Sequence, residues 1–495
     1  MRIAACRVAA MVIACSFAAP AALAGGAASP ATLEAHVSFL ASDALAGRGT
    51  PSAGLDAAAA YIASRFRAIG LEPVGDDGYY QTADWTALHR SAGDLSIVLG
   101  AGPEAFEVPE MHLAAPRAMS AIALDRAPVA TLDFENPGEV AAGSLDGRIV
   151  LTRIPDMGAI PRAERQAFFG KWQAFGQAVQ AGGATVVLSV EPDAGETGGV
   201  EGDVARRGFG LPGAELLRIT GASAQRLLDA GDGATLSIHL APLEKRTTPV
   251  VNVVGLLEGS DPDLAPEHVI VSAHYDHVGT GGSGEDTIFN GANDNASGTA
   301  GVIEAAALLA AGERPRRSVL FICYYGEERG LVGARHYADN PLLPLADAVA
   351  NINLEQIGRT DDDSGDVAKR IMPTGVGFST ALDAIEAAAA AKGVDVVALE
   401  PQTIQYFRAS DNAALAAKGV PAHTLCTAFA FPEYHGVGDH WELLDYENMA
   451  LIVEVVADGV RRLADASEAP SWIERAETRD FIAAREGVAP APAGD

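Results

Sequence analysis

Residues 318–330, SVLFICYYGEERG, run from an unbroken apolar stretch straight into two adjacent carboxylates, Glu327 and Glu328. A continuous apolar run of this length reads as a strand covered on both faces. Two like charges directly after it are costly unless something at the strand end compensates them. A solvated loop with two ordinary glutamates is the simpler reading, and the surrounding chain decides against it.

Outward from this strand the pattern repeats. PVVNVVGLL (249–257), HVIVSAHYD (268–276), VANINLEQI (349–357) and PAHTLCTAF (421–429) are further apolar runs, with helical patterns over 296–311, 378–391 and 446–464. The alternation predicts an α/β fold: a mixed, largely parallel sheet covered by helices on both faces. Ligands of such sheets gather outside the carboxyl ends of the strands. The unusual polar residues fall there. His274, Asp276 and His277 close one run, Asp294 lies in NGANDNASGTAG (290–301) just before a helix, and Glu355 follows NINL. FPEYHGVGDHWELLDYE (431–447) adds Tyr434, His435, Asp439 and His440.

Each of these residues alone has a plain structural explanation. A strand-end histidine is usually just hydrogen-bonded, and Asp294 fits a helix cap. GTGGSG (279–284) lacks the Lys-Ser/Thr of a phosphate loop, and Asp361–Asp363 reads as a solvated turn. Together they concentrate negative charge at one edge of one sheet, which calls for a cation. Imidazoles mixed with carboxylates, without a neighbouring cysteine, suit hydrolytic rather than structural zinc.

The rest of the chain frames this core. TLEAHVSFLASDALAGR (32–48) and LDAAAAYIASRFRAIGLEP (55–73) are amphipathic helices, the second closed by Gly70. Between 116 and 243 the texture changes to short strands around one helical stretch, 162–183, with no convergent polar cluster. This predicts an inserted, non-catalytic small β-rich α+β domain. Arg2 and Arg7, the apolar Val8–Ala19 and Ala22-Leu23-Ala24 read as an export signal over residues 1–24, with a lipoprotein box at Cys15 as the minor alternative. Export predicts a periplasmic or secreted protein. The 495 residues carry 35 basic and 65 acidic side chains, a net charge of −30 that disfavours nucleic acid and anionic lipid as partners. No later segment reads as a membrane span. Cys323 and Cys426 sit inside apolar runs and read as buried thiols.

The combined motifs, H-x-D, Gly-x-x-Asp-x-Ala-Ser-Gly, Glu-Glu-x-Gly-Leu, Asn-Leu-Glu-x-Ile-Gly and a late Tyr-His, resemble the di-zinc exopeptidases, the family of bacterial leucyl aminopeptidases and glutamate carboxypeptidase II. The likeness covers 33–110 and 246–460. It implies a discontinuous metallopeptidase domain, 31–115 with 244–467, and a tail from 468 to 495. Residues 116–243 resemble the protease-associated domain often inserted in this family. The resemblance implies that His274 and Glu355 hold one zinc, Glu328 and His435 the other, and that Asp294 bridges them, with cobalt or manganese as substitutes. It assigns Glu327 as general base; Asp276, two residues from His274 along the strand, points the same way and is placed to orient its imidazole, and Tyr434 is the candidate oxyanion donor. Many relatives have Asp where Glu355 stands. His435 is preferred to His440 because it matches the Tyr-His pair, and His277, His336 and His423 are read as structural or supporting.

The implied activity is peptide hydrolysis by a water activated between two metals. Aminopeptidase is favoured over carboxypeptidase because no cationic pocket for a free carboxylate is identifiable. A glutaminyl cyclase on the same core, and an inert binding protein such as the transferrin receptor, are the alternatives.

Overall fold

The computed structural model describes residues 27–100, 104–114, 118–155, 160, 164–204, 211–281, 284–362, 365–399 and 401–487. The export-signal reading, at 1–24, and the end of the tail lie outside them. The described chain divides into two compact units, one from residues up to Ala83 together with Pro249 onward, the other Asp84–Thr248.

In the first unit, α1 (Pro30–Leu40) and α2 (Ala53–Ile69) begin behind serine caps, Ser29 and Ser52, whose hydroxyls accept from Thr32 and Leu55 N–H. Gly70 ends α2 in the left-handed region at φ 90°, where a side chain would be strained. Seven strands form most of the sheet: β1 (Glu244–Leu257), β2 (His268–His274), β3 (Ser318–Tyr324), β4 (Ala348–Leu354), β5 (Arg370–Pro373), β6 (Asp395–Val396) and β7 (Ala422–Cys426), in the order β6-β5-β7-β4-β2-β3-β1. The four central strands β7, β4, β2 and β3 are mutually parallel, while β1 and β5 run antiparallel to their central neighbours. Every residue of β2, β3, β4 and β7 is buried.

Side chains alternate across these strands. Ile270, Leu320, Ile322 and Tyr324 face a core with Tyr337, Leu415 and Phe481, whereas Phe321 points the other way and meets Phe66 of α2. Two long helices, α3 (Gly298–Ala311) and α5 (Tyr446–Asp465), pack on one another and on β2; α5 also packs on α4 (Ala381–Lys392). The expected mixed, largely parallel sheet with helical layers is therefore what forms. Cys323 and Cys426 are buried free thiols. No helix among the described residues is long and apolar enough to cross a membrane.

The second unit has its own seven-stranded sheet, in the order 106–107, 95–99, 235–240, 122–131, 149–152, 186–191, 215–220. Its first part is antiparallel; from 122–131 onward the pairings are parallel. One core contains Ile97, Leu188 and Ile238; another gathers Phe134, Phe168 and Phe175. This unit begins at Asp84 rather than at the change of texture at 116. The reason is local: strand Tyr80–Arg90 runs unbroken through the boundary, so no turn or change of composition marks it. The segment after 468 also contributes to the first unit, because Phe481 is buried in its core and the Trp472 indole N–H donates to the Gly419 carbonyl (2.9 Å).

Candidate metal centre

The parallel strands deliver their ends to one place. His274 is the last residue of β2, Glu327 and Glu328 follow β3, Glu355 follows β4, and His435 lies on the loop after β7. Asp294 sits in the tight turn that opens α3. The Asp294 carboxylate stands at the centre: Oδ1 is 3.4 Å from His274 Nε2, and Oδ2 is 3.1 Å from His435 Nε2 and 3.8 Å from His277 Nδ1. Glu328 lies between two imidazoles, Oε1 2.8 Å from His277 Nδ1 and Oε2 3.2 Å from His435 Nε2. Two donor groups result, His277, Asp294, Glu328, His435 and His274, Asp294, Glu355, with Asp294 common to both.

These residues fit divalent cations on their own chemistry. His274 Nε2, both ring nitrogens of His277 and Glu328 Oε1 are buried and make no hydrogen bond. Such orphaned atoms are rare in a folded interior unless a ligand engages them. Neutral imidazole with carboxylate is a donor set for zinc. All five residues expected as ligands are brought together. His277, assigned a supporting place from sequence, is placed with them.

The electrostatics are those of a carboxylate cluster held by imidazoles. Burial pushes the Asp294 carboxyl up, but His274, His435 and His277 outweigh it and hold it well below the usual range. Burial and Asp294 raise Glu328, and the His277 and His435 rings bring it net down. Glu327 goes the other way: burial, with Glu355, Asp411 and Glu328 adding to it, raises its carboxyl well above normal against the pull of His274. Glu355 is pushed up to about 7, chiefly by burial, and Asp411 to about 8 for the same reason. The adjacent glutamates therefore differ in environment as well as direction.

A surrounding layer of hydrogen bonds fixes the donors. The Asp439 carboxylate accepts from the backbone N–H groups of Asn293 (3.0 Å) and Asp294 (3.1 Å), clamping the turn that presents the shared carboxylate. Asn295 ties that turn to the end of β4, donating to the Leu354 carbonyl (2.9 Å) and accepting from Gln356 N–H (3.2 Å). Ser410 donates to Glu355 Oε2. Asp276 stands against His274 as expected, its Oδ1 3.6 Å from His274 Nδ1, and it also reaches other partners. His274 Nδ1 approaches the Asp276 backbone carbonyl at 3.2 Å, while the carboxylate accepts from Glu327 N–H (3.0 Å) and the Thr50 hydroxyl (3.1 Å). Its side chain therefore holds the Glu327 backbone, while its main chain and carboxylate both flank the imidazole.

Arg48, from the first helical segment, is fully buried. It donates to the carbonyls of Tyr275 (2.8 Å), Asn290 (2.8 Å) and Gly291 (2.9 Å), and to that of Leu40. Burial lowers its pKa to about 10 against the raising effect of Asp276, Asp439, Asp294 and Glu328. It remains a cation at neutral pH, set behind the acidic cluster. Its backbone lies at φ 50°, and neither apolar period nor motif spacing in the sequence signalled this role.

Beside the donors is a cavity of about 280 Å³, whose lining includes Asp294, Glu327 and Glu355 together with Tyr406, Phe429 and Tyr434. The Tyr406 and Phe429 rings lie 5.1 Å apart, and Tyr434 stacks on His435 at 4.0 Å. Partial burial and the neighbouring carboxylates push the Tyr434 hydroxyl up, so it stays protonated. His440 is outside both donor groups. His423 lies inside β7, its Nδ1–H donating to the Thr374 carbonyl (2.8 Å) and its Nε2 paired with the Ser379 hydroxyl (2.6 Å).

Residues 252–460 match the profile of Peptidase family M28. Among curated proteins, a probable zinc metalloprotease of Leptosphaeria maculans is 31% identical over 156 residues, 31% of this chain and 34% of that protein. Aminopeptidase YwaD of Bacillus subtilis is 36% identical over 94 residues, 19% of each chain. The alignments span about a third or less of these relatives' own length. Among solved structures, an aminopeptidase from Aneurinibacillus sp. strain AM-1 matches at 20% identity with a TM-score of 0.52, covering 90% of this chain and 96% of that one. BSAP, a zinc aminopeptidase from Bacillus subtilis, matches at 19% identity and 0.54, covering 89% and 96%. These two likenesses carry the fold. The family profile itself covers the span that contains all the candidate metal donors, from His274 to His435.

Proposed function

We propose that this chain, whose residues 252–460 carry the core of peptidase family M28, is an exported zinc exopeptidase that removes residues from the amino end of peptides. One observation carries the reading: two donor groups share Asp294, and the Glu327 carboxylate faces the same cavity while belonging to neither group. A general base has to be a carboxylate not spent on ligation. Two zinc ions held by His274, Asp294 and Glu355 and by Asp294, Glu328 and His435 would supply an acidified water and a polarised carbonyl. Glu327 takes the proton of the attacking water and returns it to the leaving amine, its backbone steadied by Asp276. The Tyr434 hydroxyl, kept protonated at the cavity mouth, donates to the developing oxyanion.

The amino-end preference rests on charge. Among the described lining residues the charged ones are Asp294, Glu327 and Glu355, all acidic. With Asp294 and Glu355 spent on the metal ions, no Lys or Arg among these described residues is there to hold a free carboxylate. The walls formed by Tyr406 and Phe429 suit an apolar side chain of the residue being released. We also infer that residues 1–24 direct export and that the Asp84–Thr248 unit is a protease-associated domain; mass analysis of the N-terminus of protein recovered from its host tests the first, with cleavage after Ala24 expected.

The activity is tested with zinc-loaded protein and short peptides supplied free, blocked at the amino end or blocked at the carboxyl end, the products followed by mass spectrometry. Stepwise loss of N-terminal residues from free amines only is expected. Cleavage that ignores amino blocking but needs a free carboxylate overturns the aminopeptidase reading in favour of a carboxypeptidase. No cleavage with zinc bound leaves the cyclase or binding-protein readings.

A further inference from the structure

Resting on that two-zinc reading, we propose that His277 is itself a metal ligand, so that one position has four protein donors and the other three. His277 is distinguished first by what it lacks. Its ring is buried, neither nitrogen meets hydrogen-bond geometry, and Nδ1 stands 2.8 Å from the buried Glu328 Oε1, an ion-pair distance without hydrogen-bond alignment. Two polar atoms this close without hydrogen-bond alignment converge on a common point. Donors held at about 2.0–2.1 Å around one tetrahedral zinc stand roughly 3.3 Å apart. The separations among His277 Nδ1, Asp294 Oδ2, Glu328 Oε1 and Oε2 and His435 Nε2, from 2.8 to 3.8 Å, bracket that figure.

The local backbone is built for this placement. Gly291 lies at φ 60°, and a Cβ there would come within 2.4 Å of His277 Cγ and of the Asp294 carbonyl oxygen. The ring is thus pressed against the turn that carries Asp294. The His277 N–H is held by the Arg48 carbonyl (3.3 Å), fixing the chain from the other side.

The consequence is inequality between the two positions. Four protein donors fill a tetrahedral shell, whereas three leave a place open. His277, Asp294, Glu328 and His435 form the filled position, which binds more tightly and loads first. His274, Asp294 and Glu355 form the open one, and two of its three donors, Asp294 and Glu355, line the cavity beside Glu327. Exchange of metal and of water belongs to that side.

The test uses metal-free full-length protein titrated with zinc by calorimetry and with cobalt(II) by absorption. The wild type is expected to bind in two resolved steps. His277→Leu should weaken one step by more than about 100-fold, beyond what loss of a merely orienting partner costs. His277→Cys should restore binding and add the ultraviolet thiolate-to-cobalt charge-transfer band that only a coordinated sulfur gives. A Leu variant that keeps both steps, or a Cys variant that binds two cobalt ions with no such band, overturns the proposal. Should neither variant keep the wild-type circular dichroism, X-ray absorption on the zinc-loaded wild type decides: three imidazoles over two zinc ions support it and two overturn it. A wild type that takes up no divalent cation sinks the two-zinc reading and this inference together.

Discussion

At the scale of single residues, adjacent positions are made chemically opposite by direction. Glu328 turns into the imidazoles and is a donor; Glu327 turns to the cavity and is held by its backbone on Asp276. Glu327→Gln should therefore lower turnover by at least roughly 10²–10⁴-fold, the usual worth of a positioned base, with zinc content by mass spectrometry unchanged. A variant with wild-type turnover would remove Glu327 from that role. His423 supplies a second residue-scale prediction. Burial lowers its pKa from 6.5 to about 4, so the unfolded chain takes up a proton that the folded chain refuses. The stability this represents is present above pH 6.5 and is lost as pH falls towards 4, by on the order of 3 kcal/mol at most. Urea unfolding of zinc-loaded protein across that window should show the decline, and His423→Leu should flatten it. The five residues that gather were legible through motifs resembling a known family; His274, Glu355 and Asp294 also lie at an apolar run's end or a helix start, whereas Glu328 and His435 lie on loops. The part of His277 was not, since which way its ring points depends on the left-handed turn at Gly291. Asp439 was visible as a polar residue in the late motif, but its clamp on the Asp294 turn needs a contact across 145 residues.

At the scale of elements, the centre depends on how closely a helix start can approach a strand end. Gly298 opens α3, and a Cβ there would lie 2.3 Å from the Leu354 carbonyl oxygen and from Asn295 Oδ1. Gly298→Ala should force β4 and α3 apart, costing about 1–3 kcal/mol as an overpacked site does and weakening metal binding by both donor groups; calorimetry and denaturant unfolding on one preparation measure the two together. A variant that binds and unfolds like the wild type would show that the junction yields. The loop carrying His435 is anchored differently, by Glu433 on Arg359 (2.9 Å), with His435 at φ 53°. The long strands and helices of the first unit follow from apolar periodicity because they face a core, whereas short exposed pairs such as Gly365–Asp366 do not. The start of the second unit does not, because the strand Tyr80–Arg90 crosses the boundary without changing its pattern.

At the scale of the whole molecule, the centre is a store of buried negative charge, and folding is linked to the cations that neutralise it. Chelation should lower the melting temperature of the full chain and zinc should restore it, with a gain of about 2.7 kcal/mol at a hundredfold excess over the dissociation constant. A melting temperature indifferent to zinc would contradict the donor assignment. The Asp84–Thr248 unit has two cores and a sheet of its own, so it should fold when expressed alone, as a cooperative thermal transition by circular dichroism would record. The first unit has no such independence, because its chain is interrupted, and Arg48 is the residue on which the interruption tells. Apart from that of Leu40, the carbonyls that Arg48 caps belong to residues from 275 to 291, on the far side of the interruption. During synthesis the guanidinium leaves the ribosome long before those carbonyls exist. The nascent N-terminal segment therefore waits, unable to complete its own packing, while the second unit emerges and closes on itself. The set of candidate metal donors is thus complete only once the chain has been made past His435, a delay written into the order of the residues.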